Sequence, residues 1–141
     1  MGDEVIGIFI PALAGAQHAR AAVDTALGVL RATGHGSAAP WIPIGAGVNT
    51  GSAYVGVVGT ADHVEFTALG DVVNVTARLA SVAGVGEVLV TQSAASASSL
   101  PVSGLERRHL DLRGKSAATE VLVLTLPAAP SSADLWRGSE R

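Results

Sequence analysis

The chain has no cysteine at any of its 141 positions. Disulfides, thiolate catalysis and cysteine-based zinc sites are thereby excluded, and a reducing compartment is compatible with the composition. Charge is scarce as well. Asp, Glu, Lys and Arg make up 15% of the residues, and nine basic against twelve acidic side chains leave a formal net charge of −3. That balance gives no electrostatic footprint for nucleic acid, so nucleic acid is not an expected partner. The N-terminus, "MGDE", is acidic and has no basic segment ahead of an apolar one, so it does not read as a signal peptide. The one long uncharged stretch, residues 37–61, contains Pro40, Pro43, Asn49 and five glycines beside the turn signal "NTGS". It reads as strands rather than as a membrane span. A cytoplasmic protein is expected.

What is present is apolar. Hydrophobic residues form 48% of the chain, enough for one ordered domain with a real core. "EVIGIFI", residues 4–10, is an apolar run of strand length ended by Pro11. Residues 16–32 have helical periodicity. Ala19, Ala22, Val23, Ala26, Leu27 and Leu30 share one face, Arg20, Asp24 and Arg31 the other, and Gly34 suits the C-terminal end. "WIPIGAGVNT" and "SAYVGVVG" read as a hairpin around Gly51, with small residues that suit close packing. Residues 61–67 then form a loop into another extended piece. Asp71 is placed to cap a helix over residues 72–82. "EVLVT" is a strand, "QSAASASS" a short helix or loop, and residues 107–112 and 119–126 a closing pair of strands around "RGKSA". Residues 128–141 read as a tail after a domain over residues 1–127. Strands interrupted by hairpins and mixed with helices predict an α+β fold whose sheet is mixed and mostly antiparallel.

Asn74 and Arg78 stand four residues apart on the predicted helix and therefore on one face. A guanidinium there suits phosphate or a developing negative charge, and an amide can orient a neighbouring oxygen. Taken alone, Asn-x-x-x-Arg is a weak pattern, and a surface Arg beside a backbone-capping Asn accounts for it. Gly45, Gly47 and Gly51 make no dinucleotide fingerprint, because a strand follows them. His18, His35, His63 and His109 have no metal-ligand spacing and read as surface residues, whereas Trp41, between two prolines, reads as buried.

The order of "GAGVNTG", "GVVG", "FTALGDVVNVTARL", "GEVLVT" and "DLRGKSAATEVLVL" changes the weight of that pair. Together these segments resemble the class III adenylate/guanylate cyclase catalytic domain, over nearly the whole chain to about residue 126. The resemblance implies a ferredoxin-like cyclase-type sheet and a homodimer with sites at its interface. It also implies conversion of ATP or GTP to the 3′,5′-cyclic nucleotide and pyrophosphate, with Mg2+ or Mn2+. Carried over residue by residue, it implies that Asn74 orients the ribose and Arg78 meets the α-phosphate. Thr67 falls at a purine-selecting position, Arg113 where the family has a phosphate-binding Lys, and Asp3 at the second metal-binding Asp. The family's first strand, its first metal Asp, its first two helices and the purine-reading Lys have no counterpart in the chain, and His63 stands where Arg is usual. The expectation is therefore a domain truncated at its N-terminus, inactive alone and holding metal poorly, with ATP or GTP as weak ligands. Three possibilities stay open: an enzyme completed by a partner chain, a non-catalytic nucleotide-binding or regulatory pseudocyclase, and a structural dimerisation module or a fragment from a misplaced start.

Overall fold

The five residues of "EVLVT" show no alternation of apolar and polar side chains because both faces of their strand are covered. In the computed structural model, which describes residues 3–36 and 39–126, this strand is β4 (Glu87–Thr91), inside a four-stranded sheet. The other strands are β1 (Ala46–Val48), β5 (Glu106–Leu110) and β6 (Thr119–Thr125), in the order β1-β4-β6-β5. β1 runs parallel to β4, with Gly47 opposite Leu89, while β4, β6 and β5 pair antiparallel. On one face, Val88, Val90, Leu122 and Leu124 meet Val23 and Leu30 of α2 (His18–Ala32) and Ala94 and Ala95 of α4 (Gln92–Ala97). On the other face, Leu89, Val121 and Val123 meet Val75 and Leu79 of α3 (Asp71–Val82). The predicted face of α2 is the one that is buried, and Gly34 follows its end at a φ of 93°. A four-residue α1 (Pro11–Ala14) precedes it, opened by proline where the missing N–H is no loss.

The mixed α+β sheet is as expected, but three local readings are corrected. Residues 4–10 form no strand. An apolar run needs a ladder partner to become one, none stands beside it among the described residues, and Val5 is 96% exposed. No hairpin turns at Gly51, since β1 takes β4 as its parallel partner. The hairpin is instead β2 (Tyr54–Thr60) with β3 (His63–Leu69), closed by residues 61 and 62, so the expected loop at 61–67 is mostly strand. The small residues of β1 do serve close packing. A Cβ on Gly47 would stand 2.6 Å from Leu79 Cβ and 2.9 Å from the Ala80 nitrogen, so α3 lies directly against β1.

Two side chains exchange their expected places. Trp41 is exposed, held at the surface by its indole N–H donating to the Ala32 carbonyl. His35 is buried, with Nε2 3.1 Å from the Ile42 oxygen and 3.2 Å from the Ile44 nitrogen. Its ring joins the end of α2 to the approach to β1, a role that spacing along the chain does not reveal. The tail at residues 128–141, with Trp136, lies outside the described residues.

Candidate nucleotide site on helix α3

Helix α3 starts at Gly70, whose φ of 144° lets the chain turn sharply out of β3. Asp71 was expected to cap it, but no side-chain cap bond forms. Asp71 is already the first helical residue, and its Oδ2 accepts from Lys115 Nζ at 2.5 Å. Its charge still suits the positive end of the helix. Lys115 belongs to the "RGKSA" turn between β5 and β6, so this pair ties that turn to the first turn of α3.

Further along α3, Val75 and Leu79 point into the core, which leaves Asn74 exposed and Arg78 half-buried on the adjoining side. The Arg78 guanidinium lies over the same turn. A Cβ on Gly114 would be 3.5 Å from Arg78 Nη1, and Gly114 itself takes a φ of 85°. Arg113, exposed, precedes it. The structure thus brings Arg78 to the turn bearing Arg113 and Lys115, with Asn74 one helical turn before it on α3. Thr67 stands apart on β3, half-buried opposite Gly56 in the separate two-stranded ribbon, four residues before the first residue of the helix.

Of the remaining described cations, all but Arg31 are matched by carboxylates. Arg108 donates to both carboxylate oxygens of Glu87 at 3.0 Å and also to Glu106, and Arg107 donates to Glu120 at 2.6 Å. The Arg108 hydrogen bonds, helped by the Gly84 N–H, hold the Glu87 carboxyl below its ordinary value, and the two carboxylates push the Arg108 guanidinium up. Arg20 faces Asp24 one turn along α2. Among the described residues, Asn74, Arg78 and Arg113 make no side-chain hydrogen bond or ion pair. Asp3, the candidate metal ligand, is exposed, and no three of His, Asp and Glu stand together among the described residues. The donor set does not fit a two-ion site.

Residues that sequence reasoning missed lie at the start of the helix. Asn49 Nδ2 donates to the Val72 carbonyl at 3.3 Å, and its Oδ1 accepts from Thr91 Oγ1 at 2.8 Å and from the Thr50 N–H at 2.9 Å. These residues border an open cleft of about 560 Å³ shared with Ser52, Asp71, Lys115 and Glu120, which neither Asn74 nor Arg78 lines. The turn composition of "VNTGS" hid this role, since the contact to Thr91 spans 42 positions.

A helix over a mixed sheet, offering an amide and guanidinium groups without carboxylate partners at its surface, defines an α+β domain with a candidate anion site. The chain belongs to the adenylate and guanylate cyclase catalytic domain family, whose model matches residues 4–125. It is 33% identical over 85 residues to the terminal-differentiation specific adenylate cyclase of Dictyostelium discoideum, covering 57% of this chain and 4% of that protein. To adenylate cyclase 1 of Rhizobium meliloti (strain 1021) it is 34% identical over 84 residues, 55% of this chain and 13% of that protein. The chain thus spans a small part of either relative. Its fold is similar to the catalytic core of a rhodopsin-guanylyl cyclase with converted specificity, solved with ATPalphaS, at a TM-score of 0.55 and 21% identity over 88% of this chain and 63% of that one. The guanylate cyclase domain of RhGC from Catenaria anguillulae, solved with GTP, gives 0.54 and 21% over 89% and 64%.

Proposed function

We propose that this domain, assigned to residues 1–127, binds a nucleoside triphosphate through its phosphates in a cytoplasmic homodimer, and that these 141 residues alone do not cyclise ATP or GTP. One observation carries the reading: Arg78 and the turn bearing Arg113 are held together with no carboxylate neutralising either Arg. Like charges gathered without a counter-ion suit an anionic ligand. In the family's reaction the ribose 3′-oxygen attacks the α-phosphorus and pyrophosphate leaves. Arg78 would meet the charge that grows on the α-phosphate, Arg113 the departing phosphates, and Asn74 would orient the ribose. Thr67 would touch the purine, and alone it does not select ATP over GTP. Asp3 is the one candidate ligand for Mg2+ or Mn2+. It belongs to no group of three such donors among the described residues, so the proposed role rests on the cations rather than on a metal.

The β2–β3 ribbon supports the homodimer. Val55, Val57, Val64, Phe66 and Ala68 fall on one face of that ribbon, and Val57, Val64 and Phe66 are each more than 60% exposed. A second reading, a non-catalytic nucleotide-binding or dimerisation module, is favoured by the lack of any cluster of three His, Asp or Glu among the described residues. Loss of a single electrostatic contributor costs roughly 10²–10³ in rate.

The test combines turnover and binding. With Mg2+ or Mn2+ and either ATP or GTP, product should not rise above a heat-killed control. Calorimetric titration of ATP, GTP and pyrophosphate at two salt concentrations should give similar, weak and salt-sensitive affinities that Arg78→Ala removes. Product formation that Arg78→Ala abolishes would overturn the inactivity. Binding that Arg78→Ala leaves unchanged, or that strongly prefers ATP to GTP, would overturn the phosphate-led site. No binding at all would favour the module that only dimerises.

A further inference from the structure

We infer that Asn49 is a positioning residue for the nucleotide site: its amide anchors the first turn of α3 and so sets the bearing of Asn74 and Arg78. The inference rests on the proposed role of Arg78 but on separate contacts. Asn49 follows β1 directly and is half-buried. Its orientation is fixed by chemistry, since the Thr50 N–H can be met only by the amide oxygen and the Val72 carbonyl only by the NH2. Oδ1 also accepts from the Thr91 hydroxyl at 2.8 Å. Thr91 is buried at the end of β4, where its Oγ1 also accepts from the Ala94 N–H and caps α4. A hydroxyl pinned between two elements thus orients Asn49, and Asn49 reaches the helix.

What it reaches is the start of the functional face. Val72 is two residues before Asn74 and six before Arg78, and its carbonyl also accepts from Thr76 Oγ1 at 2.6 Å. Gly51 lies close beneath it, where an added Cβ would be 3.1 Å from Val72 Cγ2. The 49–51 loop therefore wraps Val72 from one side while Lys115 holds Asp71 from the other. With both Oδ1 contacts and an N–H of Asn49 spent on the protein, its work is internal rather than on a ligand.

The decisive variant is Asn49→Asp in the full chain. The carboxylate keeps the shape and still accepts from Thr91 and Thr50, but it has no N–H for Val72 and opposes that carbonyl. Thr91→Val, which removes the hydroxyl and keeps the volume, is the companion. Two readouts are used: the 15N–1H signal of the Arg78 guanidinium Nε with the amide exchange of residues 73–76, and pyrophosphate affinity. Asn49→Asp should shift the Arg78 signal while those of Arg20 and Arg31 stay in place. It should speed exchange at 73–76 by about tenfold and weaken pyrophosphate binding by up to about tenfold, the scale of one lost hydrogen bond. Thr91→Val should act in the same direction and more weakly. A shift of the Arg78 signal together with the lost affinity is a response that a residue holding only the fold would not give. An unmoved Arg78 signal and unchanged exchange in both variants overturn the inference. So does a pyrophosphate affinity that Asn49→Asp leaves unchanged while Arg78→Ala removes it. If pyrophosphate binding survives Arg78→Ala, the binding role of Arg78 fails, and the Arg78 signal and exchange still decide whether Asn49 holds the helix.

Discussion

Adding one methyl group at residue 47 should displace the helix that carries the site. In Gly47→Ala the new Cβ would stand 2.6 Å from Leu79 Cβ, 2.9 Å from the Ala80 nitrogen and 3.0 Å from the Thr76 oxygen. Non-bonded carbons settle at about 3.5–4.0 Å, so α3 must retreat from β1 by about 1 Å. Two of the three neighbours are helix backbone, which no rotamer change can move aside. Leu79 is fully buried, so the retreat also disturbs its contacts with Leu89, Val121 and Val123. Overpacking of this kind costs about 1–3 kcal/mol. With a urea dependence of about 1.5 kcal/mol per molar, the unfolding midpoint should fall by roughly 0.7–2 M. Gly28→Ala is the matched control. Gly28 lies inside α2, and an added Cβ would meet nothing within 4 Å. There the lower entropy of the unfolded chain should raise stability by about 0.5–1 kcal/mol. Equilibrium urea unfolding of both variants decides the matter. A Gly47→Ala protein as stable as the wild type would mean that α3 does not lie against β1 as closely as described.

Two further outcomes are expected. Light scattering at micromolar concentration should return about twice 14.1 kDa, because the apolar face of β2–β3 is uncovered in one chain; the monomer mass would refute the homodimer. Glu87→Gln should reduce stability at neutral pH, and the gap to the wild type should close as pH falls below the ordinary carboxylate value of 4.5. Because Arg108 depresses the folded-state value, the unfolded chain protonates first on acidification. The Glu87 contribution is therefore full above 4.5 and lost as pH drops through the folded value. A gap unchanged down to pH 3 would show that the pair contributes nothing through ionisation.

The parts of the fold written in local pattern were legible from residues alone. α2 shows its stripe from Ala19 to Leu30, and β4 and β6 are short, bounded and rich in Val and Leu. What was misread depends on partners distant in sequence. The run at residues 4–10 has strand composition but no strand beside it among the described residues, and β1 has a turn after it that looks like a hairpin while its partner lies some forty residues on. The same holds for the site. Asn74 and Arg78 share a helix face by spacing, a weak signal that gained weight only from the resemblance of the segments around them. Asn49, whose contacts run to Val72 and Thr91, reads only as a turn residue. Asp71 was assigned to the helix cap because capping is a local rule, whereas Lys115 claims it from 44 positions away.

The scarcity of charge, noted first as an exclusion, sharpens the functional argument. Seven of the nine basic residues lie among the described residues. Arg20, Arg107, Arg108 and Lys115 each have a carboxylate. Arg31 sits in the last turn of α2, where a cation is favoured by the negative end of the helix. That leaves Arg78 and Arg113 without a structural explanation, and Arg78 lies against Gly114, the residue that follows Arg113. In a highly charged protein such a meeting would carry little weight, since surface cations are common and most serve solubility. Here three of the other described cations, Arg107, Arg108 and Lys115, are spent on carboxylates of neighbouring elements. A core built from small and branched apolar residues fixes the helix through Gly47, Asn49 and the Asp71–Lys115 pair, and the two uncompensated guanidinium groups remain as the chemistry the fold presents.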